Sequence, residues 1–189
     1  MPNADPGPRQ SLWGDLLLLL GAVLAALFIR TYVVEPKIVD GQSMEPALHT
    51  DERLEINKLV YHFRLPRTGE LVVFRFPANP RRDFIKRVIA HEGQTVEIRQ
   101  GQVYVDGAPL AESYIAYWSN SNYPRTLIKP GHIFVLGDNR VNSEDSRYPE
   151  VGQVPLANVK GMVFLRYWPP DRFRWFGGGR QGALVRWSG

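Results

Sequence analysis

Residues 16–29 hold no charged and no strongly polar side chain: five leucines are followed by Gly-Ala-Val-Leu-Ala-Ala-Leu-Phe-Ile. Extended to Trp13 on one side and Val34 on the other, the stretch reaches the roughly 20 apolar residues that cross a bilayer as a helix. Asp15 and Arg30 bracket its centre, and Trp13 and Tyr32 stand where interfacial aromatics sit. A buried core helix would carry a polar stripe, and none is visible. A cleaved leader needs a small-residue site after the run, whereas this one ends Phe28-Ile29-Arg30-Thr31-Tyr32. The expectation is an uncleaved single-span anchor over residues 12–34, behind a short polar tail over 1–11. Arg9 precedes the span, while Arg30 and Lys37 follow it, so the charge rule by itself leans toward a main domain on the cytoplasmic side.

The rest of the 189-residue chain reads as short strands between turns. Arg53-Leu54-Glu55-Ile56-Asn57 alternates as a half-buried strand does. Leu71-Val72-Val73-Phe74-Arg75-Phe76, residues 83–89, residues 132–136 and residues 159–168 are further strands. Gln100-Gly101 and Asp106-Gly107 punctuate two β-rich runs as hairpin turns do. Residues 113–128 show no period and read as a loop; the stretch from Asp171, with Gly177-Gly178-Gly179, reads as a flexible tail. The fold expected is mainly β: an antiparallel sheet with open-barrel character, preceded by one transmembrane helix. The chain has no cysteine, which removes thiol nucleophiles, cysteine–zinc sites and disulfides together. Its net charge of +4 is scattered and gives nucleic-acid binding little support.

Three places carry potential chemistry. Gly41-Gln42-Ser43-Met44-Glu45-Pro46 puts one hydroxyl on a turn, where a serine either caps the backbone or stays accessible as a nucleophile. Lys86 shares a strand face with Phe84 and Val88, while Arg87 shares the other with Ile85 and Ile89. Such a lysine either snorkels to water or, if desolvated, has an amine neutral near pH 7–8 that can take a serine proton. Residues 137–147 hold two serines, three acids and two arginines directly after a strand; Asp145 and Arg147 are placed to pair and stiffen that loop. The four histidines are scattered and match no metalloprotease or hydrolase pattern, and a Ser-His-Asp triad is the less favoured alternative.

Taken together, these residues resemble the bacterial type I signal peptidase family, membrane-bound serine endopeptidases. Ser-Met-Glu-Pro-Ala-Leu, Gly-Glu-Leu-Val-Val-Phe, Phe-Ile-Lys-Arg-Val-Ile and Gly-Asp-Asn-Arg-Val-Asn-Ser-Glu-Asp-Ser-Arg occur in family order, between the anchor and about Pro170. The resemblance implies Ser43 as nucleophile, Lys86 as general base and Ser143 as the hydroxyl that orients the lysine. It implies the Ser43 backbone N–H as oxyanion donor. Asp138 and Arg140 would shape the opening of the last box, and Asp145 and Arg147 its close. Met44, Leu48 and Ile85 are candidates for the walls of the substrate pockets. Gly41 stands where some members have a second oxyanion hydroxyl, Val141 replaces a polar residue, and Ala90 replaces a glycine. The resemblance also implies an extracytoplasmic catalytic domain over residues 35–170 with a β insertion at about 93–130, and a tail over 171–189. It implies no metal or cofactor, and places the protein in the cytoplasmic membrane. Its partners would be signal-peptide-bearing precursors, membrane lipid and the export machinery, with cleavage after small residues in an Ala-x-Ala-like pattern. Two rivals remain: a soluble self-cleaving Ser-Lys peptidase of the repressor type, and a tethered β-domain that binds exported peptides without cutting them.

Overall fold

The computed structural model describes residues 12–176; the expectations for 1–11 and for the glycine-rich stretch after 176 lie outside them. The apolar run forms α1 (Leu12–Phe28), which continues through one wider π-helical turn, Ile29–Val33. Trp13–Val33 has a mean hydropathy of 2.3 and no residue packed inside the protein. A helix apolar on every side and uncovered by protein suits a lipid environment.

The chain passes straight from this helix into β1 (Val34–Ile38), then β2 (Arg53–Asn57), the short α2 (Val60–Phe63), β3 (Leu71–Phe76) and the long β4 (Asn79–His91). A smaller unit follows: β5 (Thr95–Arg99), β6 (Gln102–Val105), β7 (Ala108–Pro109) and β8 (Tyr123–Leu127). The chain returns through β9 (His132–Leu136), β10 (Val154–Pro155), β11 (Val159–Trp168) and β12 (Arg174–Trp175). The main sheet is ordered β1-β2-β11-β3-β4-β9-β10 with β12 on β11, and the small sheet β7-β6-β5-β8. All of these strand pairs are antiparallel.

β3 explains why the main sheet holds together. Leu71 and Val73 pack with Leu54, Ile56 and Val163 on one face; Val72, Phe74 and Phe76 pack with Val88, Ile133 and Val135 on the other. A central strand buried on both faces reads as a continuous apolar run, and each such side chain contributes about 1.5–3 kcal/mol of transfer free energy. The sheet also curls. Lys37 of β1 reaches Asp83 of β4 at 2.8 Å although three strands lie between them in the hydrogen-bonded order. Yet β1 pairs only with β2, and β4 meets β9 only from Arg87 onward. Two strand edges, one on β1 and one on the first half of β4, are therefore left facing each other.

Two sequence expectations need correcting. Residues 113–128 are not all loop, because Tyr123–Leu127 forms β8 on the edge of the small sheet. Its proline and mostly exposed side chains hide the strand pattern, and an edge is where a strand tolerates proline. Residues 171–176 take regular structure: a helical turn, Pro170–Arg172, leads into β12, and Phe176 N–H donates to Phe164 C=O at 2.8 Å. The hairpin turns form as expected, with φ +47° and +83° at Gln100-Gly101 and +52° and +81° at Asp106-Gly107.

Candidate active site

Ser43 sits in the connection between β1 and β2. The base of that loop is closed by Val39 N–H to Glu52 C=O and Asp51 N–H to Val39 C=O, both at 2.9 Å. Gly41 has φ +95°, the left-handed conformation that glycine adopts without steric cost. Glu45 N–H then donates to Gln42 C=O and Leu48 N–H to Met44 C=O, so the segment folds into consecutive tight turns. Met44 and Leu48 are driven into the core, at 1% and 0% exposure, and fix the turn by their burial. Beneath it lies a charge cluster that the sequence did not reveal. Arg166 Nη1 donates to Ala47 C=O at 2.8 Å and to Glu52 at 2.9 Å, and Arg172 reaches Glu52 at 2.7 Å.

Lys86 approaches this turn from β4. Its Nζ lies 2.7 Å from Ser43 Oγ, and the residue is only 4% exposed. Burial pushes the amine down to about 8; the Asp145, Glu144 and Asp138 carboxylates oppose that fall, and the Arg147 guanidinium adds to it. The pair lies at the wall of a cleft of about 320 Å³ between the two free strand edges. Val39, Asp40 and Gly41 line one side, Phe84 and Ile85 the other, and Asn142 and Glu144 a third. Of the residues expected as pocket walls, Met44 and Ile85 border the cleft, Met44 while packed in the same core cluster as Leu48. Leu48 does not: it belongs to the core cluster with Leu54 and Ile56. Its apolar side chain is spent on anchoring the turn. None of the four histidines lines the cleft. Ser43 N–H has no backbone acceptor among the described residues, which leaves it available to an incoming group.

The loop after β9 supports this pair from behind. Asn139 N–H donates to Ser43 C=O at 3.0 Å, and Gly137 N–H to Asp145 at 3.0 Å. Arg147 binds Asp145 through both Nε and Nη2, at 2.8 and 2.9 Å, and also donates to Arg140 C=O. Arg140 donates to Gly137 C=O and pairs with Glu112. Asp138 is gripped bidentately by Arg87, which also donates to Gly69 C=O and lies 3.9 Å from the centre of the Tyr114 ring. Tyr114 O–H in turn donates to Glu112 at 2.8 Å. Glu112 and Tyr114, which follow β7 of the small sheet, thus tie that unit to the loop. Sequence reasoning missed Glu112, Tyr114 and Arg87. The available signal was Arg87 itself, a cation on the strand face opposite Lys86 with apolar residues on both sides.

Ser143 is buried at 7% exposure and its Oγ has no hydrogen-bond partner; the contact with Lys86 implied by the resemblance is not made here. Ser143 and Ser43 both crowd Gly137. A methyl group at 137 would overlap the Ser143 side chain and come within 2.6 Å of the Ser43 carbonyl oxygen. Gly137→Ala is therefore expected to displace the Ser43 backbone and lower turnover about 100-fold or more, since displacements near 1 Å cost that much. Turnover within tenfold of the parent would show that the site tolerates the shift.

The chain matches known proteins over nearly all of this structure. A family model described as signal peptidase, peptidase S26, matches residues 12–168. The chain belongs to this family. A probable signal peptidase I-1 from Synechocystis sp. is 39% identical over 175 residues, covering 89% of this chain and 88% of that protein. A signal peptidase I from Leptolyngbya laminosa is 38% identical over 184 residues, covering 90% and 89%. A crystal structure of a signal peptidase I from Enterococcus faecalis is 34% identical, with a TM-score of 0.45, over 52% of this chain and 97% of that one. Family membership makes this chain a peptidase and agrees with anchoring by its apolar helix.

Proposed function

We propose that the protein is a membrane-bound serine endopeptidase that removes N-terminal signal peptides from exported precursors, cutting after small residues in an Ala-x-Ala-like pattern. The observation that carries the reading is the 2.7 Å approach of a buried amine, Lys86 Nζ, to the Ser43 hydroxyl beside an open cleft. With the amine neutral, the Ser43 O–H donates to Nζ. Ser43 Oγ attacks the scissile carbonyl carbon as its proton passes to Lys86. The oxyanion formed is met by the free Ser43 N–H. The C–N bond then breaks, Lys86 returns the proton to the leaving amine, and an acyl-enzyme remains. Lys86 next takes a proton from water, whose oxygen attacks the ester carbonyl; the bond from that carbon to Ser43 Oγ then breaks, and Lys86 passes the proton to Oγ, releasing the acid and restoring Ser43 and the neutral amine.

Ser143, buried and without a hydrogen-bond partner, is assigned to orient Lys86 by accepting from an N–H of its amine. Asp138, Arg140, Asp145 and Arg147 hold the loop that sets this geometry. The substrate lies extended between the edges of β1 and β4, where main-chain groups stand ready to pair, with Ile85 and Met44 shaping the pockets. The helix anchors the catalytic domain on the extracytoplasmic face of the cytoplasmic membrane, an orientation taken from the family resemblance. Membrane lipid and the export machinery are the surroundings this role requires.

The test is to incubate the detergent-solubilised full chain with a secretory precursor and map the cut by mass spectrometry. A cut after Ala-x-Ala, lost in Ser43→Ala, is expected; processing by Ser43→Ala would overturn the reading, and binding without cleavage would favour a tethered peptide-binding domain. The pH profile is a second test. The amine must be neutral to act, so activity falls as pH drops through about 8. Below that value kcat/KM should lose close to tenfold per pH unit, and a profile flat from pH 9 to pH 5 would exclude a lysine base.

A further inference from the structure

A second cavity, of about 470 Å³, opens where the end of the membrane helix meets the sheet, away from Ser43 and Lys86. Its walls include Tyr32 from the last helical turn, Glu35 of β1, Lys58 and His62 around α2, Arg75 of β3 and Lys160 of β11. Three permanent cations and a histidine face a single carboxylate. That carboxylate is already drawn toward Lys37 at 2.8 Å and lies 3.8 Å from Lys58. Lys160 is paired with Asp83 just beyond the wall, at 2.7 Å. Lys58 donates to the Thr31 carbonyl, which ties the cavity floor to the helix end. Arg75 is exposed and has no carboxylate partner among the described residues.

The position gives this charge a purpose. Thr31 and Tyr32 close the Trp13–Val33 span, so the cavity opens at the level where the hydrocarbon gives way to lipid headgroups. Concentrated positive charge costs folding energy through self-repulsion unless an anion offsets it. An arginine fork flanked by two lysines matches a phosphate ester, with bidentate bonds from the guanidinium and point charges from the ammonium groups.

We propose that this cavity is a binding site for a phosphate ester, with Arg75 as the bidentate ligand and Lys58 and Lys160 as supporting charges. An anionic phospholipid headgroup and a soluble phosphate ester share that chemistry, and the helix end beside the cavity favours the lipid. A bound headgroup would fix the height and tilt of the catalytic domain over the membrane.

The test uses the full chain in nanodiscs of phosphatidylcholine with one part in ten phosphatidylglycerol. Lipid retained after release is counted by native mass spectrometry, a readout that does not involve peptide cleavage and so is independent of the proposed activity. Retained phosphatidylglycerol should exceed its share of the disc several-fold, and Lys58→Gln/Arg75→Gln, which removes two of the cations that attract it, should bring retention back to that share. Arg75→Gln alone, at an exposed position that leaves the fold undisturbed, should lower retention part of the way, and Arg99→Gln on the remote hairpin should leave it unchanged. Adding millimolar glycerol 1-phosphate separates the sources: retention that persists assigns the site to lipid, and displacement assigns it to soluble phosphate esters. Retention of the two lipids in proportion to the disc, or enrichment equal in parent and double variant, would overturn the proposal.

Discussion

Lys86→Met is expected to abolish cleavage and to make the protein more stable. The loss should be about 10⁴-fold, because in the proposed mechanism Lys86 both takes the Ser43 proton and returns it to the leaving amine. The gain follows from the linkage between protonation and folding. The folded state holds Lys86 at about 8, and the unfolded chain has it near its ordinary 10.5. Below pH 8 both states carry the proton, and the folded state bears the full penalty of a buried ammonium, on the order of 3 kcal/mol. Between about pH 8 and 10.5 the unfolded state binds more protons, so the parent gains stability as pH rises. Methionine fills similar space without a charge, so the variant should be more stable by about 2 kcal/mol at pH 7. That advantage should shrink as pH rises through the same window. Chemical denaturation of both proteins at pH 7 and pH 10 measures it. A Lys86→Met protein less stable than the parent at pH 7 would mean that the amine is solvated and the burial argument fails.

Asp138→Ala is expected to have the largest destabilising effect. Asp138 and Arg87 are 0% and 2% exposed, and the variant leaves a guanidinium buried without its carboxylate. Removing one partner of such a pair costs about 3–5 kcal/mol. For a domain of this size that lowers the melting temperature by about 10 °C. Activity should fall as well, because residues 137–139 meet Ser43 through the Asn139 N–H. The double variant Arg87→Met/Asp138→Leu separates the two effects. An apolar pair of similar volume should recover most of the stability. Activity should stay low, since the tether between β4 and the loop is gone. If the double variant recovered both, the ion pair would be dispensable for the geometry of the site.

What the sequence displays most clearly is what depends on near neighbours. The apolar run, the turn around Ser43 and the hairpin turns at Gln100-Gly101 and Asp106-Gly107 are all written in residues a few positions apart, where periodicity and backbone preference act. The approach of residue 86 to residue 43 is not of that kind. It arises because the main sheet curls until β4 comes round to the β1–β2 loop, and no local pattern encodes that curl; the resemblance supplied it. The buried charges were hidden for the same reason. Arg87 and Asp138 are 51 positions apart, Arg140 and Glu112 are 28 apart, and Arg166 and Glu52 are 114 apart. Each alone looks like a surface residue, and only its partner makes burial tolerable. Leu48 shows the opposite error. It lies near enough to Ser43 to suggest a pocket wall, but the turn through Met44 aims it into the core.

The central claim is that residue 86 carries an uncharged amine close to physiological pH, in contact with the Ser43 hydroxyl. Its most direct test is a titration of the lysine side chain by NMR, with ¹³C at the ε carbons and the resonance assigned by its loss in Lys86→Met. A midpoint near 8 is expected, returning toward the ordinary value when the chain is unfolded in denaturant. A midpoint near 10.5 in the folded protein would contradict the claim.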